Sequence, residues 1–208
     1  MNLPQPHDLL WINSALHLQS DEPLPDWVTS TWNASLPVVV RRDHAGTGLI
    51  PVGIRGSLRS QRAAAWIAPH HLVRAVTPYT LVEQLDYVTN FGWPDLAPIR
   101  LLQQLQNQTW SWRWGVTGSC GYSLATGQLQ IKPTSDLDLL FLMPERPSPA
   151  ELLPFLSWCD TANCRVDIQL ETPRGGCALQ EWLRGGQVLL KTNTGPVLVP
   201  DPWAEESS

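Results

Sequence analysis

Gly118-Ser119-Cys120-Gly121-Tyr122 and, seventeen positions after Ser119, Asp136-Leu137-Asp138-Leu139-Leu140-Phe141-Leu142 are the segments on which the reading of this chain turns. The second is an apolar run with carboxylates at i and i+2, which predicts a β-strand. Side chains on a strand alternate faces, so Asp136 and Asp138 project together while Leu137, Leu139 and Phe141 point the other way. Two neighbouring carboxylates repel unless a cation lies between them, and burying such a pair alone is costly. Mg²⁺ is commonly held by one or two carboxylates together with substrate phosphates, so this strand points towards phosphoryl chemistry.

Upstream, Trp110, Trp112 and Trp114 alternate with Ser111 and Arg113, the period of a strand that would deliver the chain into Val116-Thr117-Gly118-Ser119. Core packing is the expected role of these tryptophans, with base stacking as the alternative. Two amphipathic helices are expected before them, one from Thr77-Pro78 towards Val88 and one over Asp95–Gln106. Downstream, Ser148-Pro149-Ala150-Glu151 reads as a capping box, with Leu152, Leu153, Phe155 and Leu156 as the buried helical face. Cys164 to Leu170 alternates as a strand carrying Asp167. A helix over Ala178–Arg184 stops at Gly185, and Val188–Lys191 and Val197–Val199 form a closing hairpin around Asn193-Thr194-Gly195.

The first 76 residues read differently. Pro25-Asp26-Trp27-Val28 opens a short helix, and Val38–Arg42 and Leu49–Ile54 are strands joined by the Asp43–Gly48 loop. Gln61–Ala68 is a strand or a short helix, which periodicity does not decide. The expectation is an α+β protein, with a small β-rich N-terminal module over 1–76 and a second domain over 77–208.

Hydrophobic residues make up 43% and charged residues 16% of the 208 positions, a globular rather than a disordered composition. The formal net charge of −5 argues against a general nucleic-acid binder. Twelve arginines stand against two lysines, Lys132 and Lys191, and arginine is the better fork for phosphates. Cys120, Cys159, Cys164 and Cys177 form no C-x-x-C pair, so free thiols are expected rather than a zinc site. No leader peptide and no apolar run near the ~20 residues of a membrane span is read, so a cytoplasmic location without membrane contact is expected.

Combined, these features form one constellation. A strand ends in Gly118-Ser119 at a helix start, where backbone N–H groups and a hydroxyl can meet a triphosphate. If the Asp136–Leu142 and Cys164–Leu170 strands are neighbours, Asp136, Asp138 and Asp167 can converge on one or two divalent ions, Mg²⁺ or Mn²⁺. Asp167 would activate an acceptor hydroxyl or complete the metal shell; the alternative is an ion pair with Arg165. Gly118 and Ser119 are expected on the donor phosphates, with Lys132 neutralising them.

The order apolar-Gly-Ser, spacer, Asp-apolar-Asp and a third acid resembles the nucleotidyltransferase superfamily, although the spacer is longer than usual. The wording Gly118-Ser119-x-Gly121-Tyr122-x-Leu124-Ala125-Thr126-Gly127, followed by Ser135-Asp136-Leu137-Asp138-Leu139, is similar to the malonate decarboxylase holo-acyl-carrier-protein synthase family. His7-Asp8-Leu9-Leu10-Trp11, Pro37–Arg42, Lys191-Thr192-x-x-Gly195-Pro196 and Asp201-Pro202-Trp203 extend the likeness over nearly the whole chain.

That resemblance implies a nucleotidyltransferase-like mixed sheet flanked by helices in the second domain. It also implies transfer of phosphoribosyl-dephospho-CoA from its triphosphoribosyl precursor to a serine of the apo acyl-carrier subunit of malonate decarboxylase, with release of diphosphate. The alternatives are a nucleotidyltransferase using an ordinary nucleoside triphosphate and a non-catalytic nucleotide-binding module. Arg41, Arg42, Arg55, Arg59 and Arg62 would then grip donor phosphates or an acidic carrier surface. His7, His44, His70 and His71 are read as structural or exposed.

Overall fold

A computed structural model describes residues 3–44, 48–58, 60–85, 93 and 95–204. The chain divides into two compact units, Met1–Thr77 and Pro78–Ser208.

The first unit is a five-stranded antiparallel sheet of β1 (Leu9–Ile12), β2 (Val38–Val40), β3 (Ile50–Arg55), β4 (Arg62–Ile67) and β5 (Leu72–Val76), in the order β4-β3-β2-β1-β5. Alternation sets its core face. Ile50, Val52 and Ile54 are buried, and they pack with Leu10, Ile12, Val38, Val40, Ala65 and Ile67. Val28, from the helix α1 (Asp26–Ser30), and Trp32 join the same cluster. Gln61–Ala68 resolves as a strand because Arg62–Ile67 pairs residue for residue with Ile50–Arg55. Strands β1 and β5 were not expected from the sequence: Leu9-Leu10-Trp11-Ile12 is apolar without alternation, and its strand character comes from having a partner on each side. The middle of the Asp43–Gly48 loop, Ala45–Thr47, lies outside the described residues.

The second unit is a six-stranded mixed sheet in the order β11-β10-β9-β8-β7-β6. Its strands are β6 (Arg113–Val116), β7 (Leu137–Leu142), β8 (Val166–Thr172), β9 (Gly175–Ala178), β10 (Val188–Thr192) and β11 (Gly195–Val199). Its helices among the described residues are α2 (Pro78–Glu83), α3 (Ala97–Gln106), α4 (Gly118–Thr126), α5 (Pro149–Cys159) and α6 (Leu179–Arg184). Among the described strands only β7 and β8 pair in parallel, and α5 lies in the crossover between them, as a parallel pair requires. One sheet face is apolar: Leu137, Leu139, Phe141, Leu170, Val188 and Leu190 are all buried. The α+β expectation therefore holds, with an antiparallel first sheet and a mixed second one.

Several boundaries move. The helix expected from Thr77 towards Val88 is described over Pro78–Glu83, and residues 86–88 lie outside the described residues. The expected Trp110–Trp114 strand starts only at Arg113; Trp110 and Trp112 precede it and pack with Phe141, Phe155 and Trp158, Trp110 lying 4.9 Å from Phe155 edge-on. Helix α5 carries its capping box, Ser148 N–H donating to Glu151 at 2.6 Å and Ala150 N–H to Ser148 Oγ at 3.3 Å. It buries only Leu152 and Phe155, while Leu153 is 56% exposed, because i and i+3 share a face and i+1 does not. The Asp167 strand begins at Val166 rather than Cys164. Strand β9, Gly-Gly-Cys-Ala, has little β-propensity; a Cβ on Gly175 would stand 2.4 Å from Lys191 O, so a backbone approach demands glycine there. Among the described residues no helix is long and apolar enough to cross a membrane.

Candidate active site

Three glycines allow the turn from β6 into α4. A Cβ on Gly115 would lie 2.6 Å from the Pro78 carbonyl carbon, and one on Gly121 would lie 2.7 Å from Val116 O. Between them Gly118 has φ +63°, and its Cβ would stand 1.7 Å from Asp138 Oδ2. The turn is pinned to the acidic strand by Thr117 N–H, which donates to Asp138 O at 2.9 Å. Gly118 and Ser119 thus form the first turn of a nine-residue helix directly against the Asp138 carboxylate.

The first half of the long spacer is that helix. Gly127 closes α4 at φ 70°. The returning chain is tied back by buried Ser123, whose Oγ accepts from Gln130 N–H and donates to Ser119 O, both at 2.8 Å. Ile131 is buried, and a turn over Lys132–Ser135 then presents Asp136. Lys132 is exposed on that turn, without an ion pair among the described residues.

Asp136 immediately precedes β7 and Asp138 lies within it, facing Asp167 of β8 in parallel register. Paired residues share a face, so all three acids project from one side of the sheet. Adjacent strands lie about 4.8 Å apart, and residues two apart on a strand about 6.6 Å. Among the described residues, however, no three His, Cys, Asp or Glu side chains are gathered closely enough to hold a metal ion. Arg165, the sequence-level alternative partner for Asp167, instead points towards Asp136, with Nε 4.0 Å from Oδ2. Further along the same face Gln169 donates to Glu171 at 2.7 Å. The Arg165 and Asp167 spacing of two was visible in the sequence; only the strand pairing shows that Asp136 is the residue alongside Arg165.

Cys120 is buried beneath this site. Burial foremost, then the nearby Asp138 and Cys164, pushes its thiol up to about 12, so it stays protonated and is no nucleophile. All four cysteines are free.

In the first unit, Arg41 pairs with Asp43 at 2.7 Å and lies over Gly53, while Arg55 stands opposite Arg62 across β3 and β4. Arg59 lies outside the described residues. His71 stacks on His17 at 3.7 Å with His70 beside it, and its pKa is lowered by desolvation first and then by its two histidine neighbours. That surface stack is not a metal-binding group.

The phosphoribosyl-dephospho-CoA transferase MdcG N-terminal domain matches residues 5–78 and its C-terminal domain residues 84–202. A phosphoribosyl-dephospho-CoA transferase of Klebsiella pneumoniae (strain 342) is 46% identical over 204 residues, covering 98% of both chains. Proteins of the same name from Azotobacter vinelandii and Pseudomonas putida (strain GB-1) are 44% and 40% identical; the match covers 98% and 99% of this chain, and 96% and 98% of theirs. No solved structure gives a significant match.

Proposed function

The chain belongs to the phosphoribosyl-dephospho-CoA transferase MdcG family and is a transferase, and from that premise we propose that it attaches the phosphoribosyl-dephospho-CoA group to the acyl-carrier subunit of malonate decarboxylase. The donor is 2′-(5″-triphosphoribosyl)-3′-dephospho-CoA and the acceptor a serine hydroxyl. The observation that carries the reading is the shared face of Asp136, Asp138 and Asp167 beside the Gly118 turn.

Those acids fit a hard divalent cation, because every donor is a carboxylate oxygen. A closed three-ligand cage is not required in advance, since Mg²⁺ usually completes its shell with water and substrate phosphates. Asp136 and Asp138 would hold the ion, with Asp167 as a third ligand or as the base; when bound it supplies positive charge against the donor's phosphates. The chain's own groups do the rest. The α4 N-terminus offers backbone N–H groups and the Ser119 hydroxyl to the β- and γ-phosphates. Lys132, exposed on the turn before Asp136, adds a cation. The acceptor oxygen bonds to the α-phosphorus, the bond from that phosphorus to the bridging β-phosphate oxygen breaks, and diphosphate leaves with the electron pair. The hydroxyl proton passes to a carboxylate, for which exposed Asp167 is accessible.

The test is to incubate the protein and carrier subunit with Mg²⁺ and either the triphosphoribosyl donor or ATP, then weigh the carrier by mass spectrometry. A gain of the prosthetic group only with the first donor is expected, and its loss in Asp136→Ala and Asp138→Ala while both melt cooperatively. A mass gain only with ATP, or retained turnover in both variants, overturns the reading.

A further inference from the structure

Continuing the β7–β8 ladder one residue towards its start places Arg165 beside Asp136, since Leu137 N–H donates to Arg165 O at 2.9 Å and Leu137 pairs with Val166. Arg165 is two residues before Asp167, as Asp136 is two before Asp138, so all four project from one face. The start of the parallel pair therefore presents three carboxylates and a single guanidinium as one block.

The guanidinium is not spent on the acids. Its Nε stands 4.0 Å from Asp136 Oδ2, within ion-pair range but too far for a hydrogen bond, and Arg165 is 70% exposed against 42% for Asp136. Among the described residues its side chain donates no hydrogen bond, which leaves the planar fork of N–H groups open. An exposed ion pair of this length contributes little to folding. A triphosphate approaching a face of three carboxylates meets repulsion, and a fork of donors at the edge of that face is the chemistry that receives phosphate oxygens.

We propose that Arg165 is a donor-binding residue: its guanidinium moves from Asp136 onto a phosphate oxygen of the triphosphate, holding the donor over the acids and leaving the Asp136 carboxylate available. This rests on the transferase reading above. A residue that merely neutralised or oriented Asp136 would act on the acids themselves, and the two roles separate in measurement.

Steady-state kinetics with the triphosphoribosyl donor at saturating Mg²⁺ would compare wild type with Arg165→Ala, Arg165→Gln and Arg165→Lys, alongside calorimetric Mg²⁺ binding to the donor-free proteins. Expected are a donor KM raised about tenfold or more in Arg165→Ala and Arg165→Gln, an intermediate value in Arg165→Lys, and kcat within about threefold. Mg²⁺ affinity should be unchanged or tighter in Arg165→Ala and Arg165→Gln, because a positive charge has left the site, and unchanged in Arg165→Lys, which keeps it. Unaltered KM, a fall in kcat at constant KM, or weakened Mg²⁺ binding overturns the proposal. Wild-type protein that leaves the carrier unmodified with this donor overturns the transferase reading and the proposal together. Should the alanine variant melt early, the glutamine and lysine variants carry the same comparison.

Discussion

Replacing Gly118 by alanine tests the close approach between the helix start and the acidic strand. At φ +63° an L-residue costs about 1–2 kcal/mol. The new methyl would also stand 1.7 Å from Asp138 Oδ2, 2.6 Å from its Cγ and 3.0 Å from its Cβ. Rotating the carboxylate relieves the first contact but not the last, so the strand or the turn must shift as well, adding about 1–3 kcal/mol. Gly48 is the control. It has φ +73°, and a Cβ there meets nothing within 4 Å, so Gly48→Ala carries a positive-φ cost without the contact. Thermal melts should place Gly118→Ala below Gly48→Ala. Carrier modification followed by mass spectrometry should fall about a hundredfold or more in Gly118→Ala, because displacing a reacting group by about 1 Å costs that much. Gly48→Ala should keep wild-type turnover. A Gly118→Ala protein with turnover within about threefold of wild type, or a melt matching that of Gly48→Ala, would refute the assignment of Gly118 as the seat of the Asp138 carboxylate.

Asp8 is 6% exposed, and burial raises its pKa from 3.8 to about 6 despite the hydrogen bond from Gln5 N–H at 2.9 Å. The folded state therefore holds this proton more tightly than the unfolded chain, and stability falls as pH rises from 3.8 through 6. Asp8→Asn keeps an acceptor for Gln5 and should be more stable at pH 7.5 by up to about 3 kcal/mol, with no advantage below pH 4; equal denaturation midpoints at pH 7.5 would contradict this. Brief maleimide treatment of the native protein at pH 8 should spare buried Cys120 and Cys177, while guanidinium exposes all four thiols. Labelling of native Cys120 at the unfolded-chain rate would show that its thiol, pushed up to about 12, is neither buried nor protonated.

The sequence alone carried whatever depends on a few neighbouring residues. The i, i+2 spacing set Asp136 and Asp138 on one face, Ser148-Pro149-Ala150-Glu151 set the start of α5, and Gly185 its counterpart at the end of α6. Each of these is a local property of backbone period or capping. The tryptophan alternation failed at Trp110 and Trp112, where packing against Phe155 and Phe141 overrode the strand period. Strand β9 was invisible because its glycines answer to the backbone of β10, not to any propensity of their own. Tertiary structure alone decided the pairing of Asp138 with Asp167, residues twenty-nine positions apart. That pairing depends on how α5 and the buried leucines of β7 and β8 pack, and a slip of one residue would send Asp167 and Arg165 to the apolar side. The same register turned Arg165 from a possible partner of Asp167 into the cation beside Asp136. Composition and spacing named the acids; strand register made them one face.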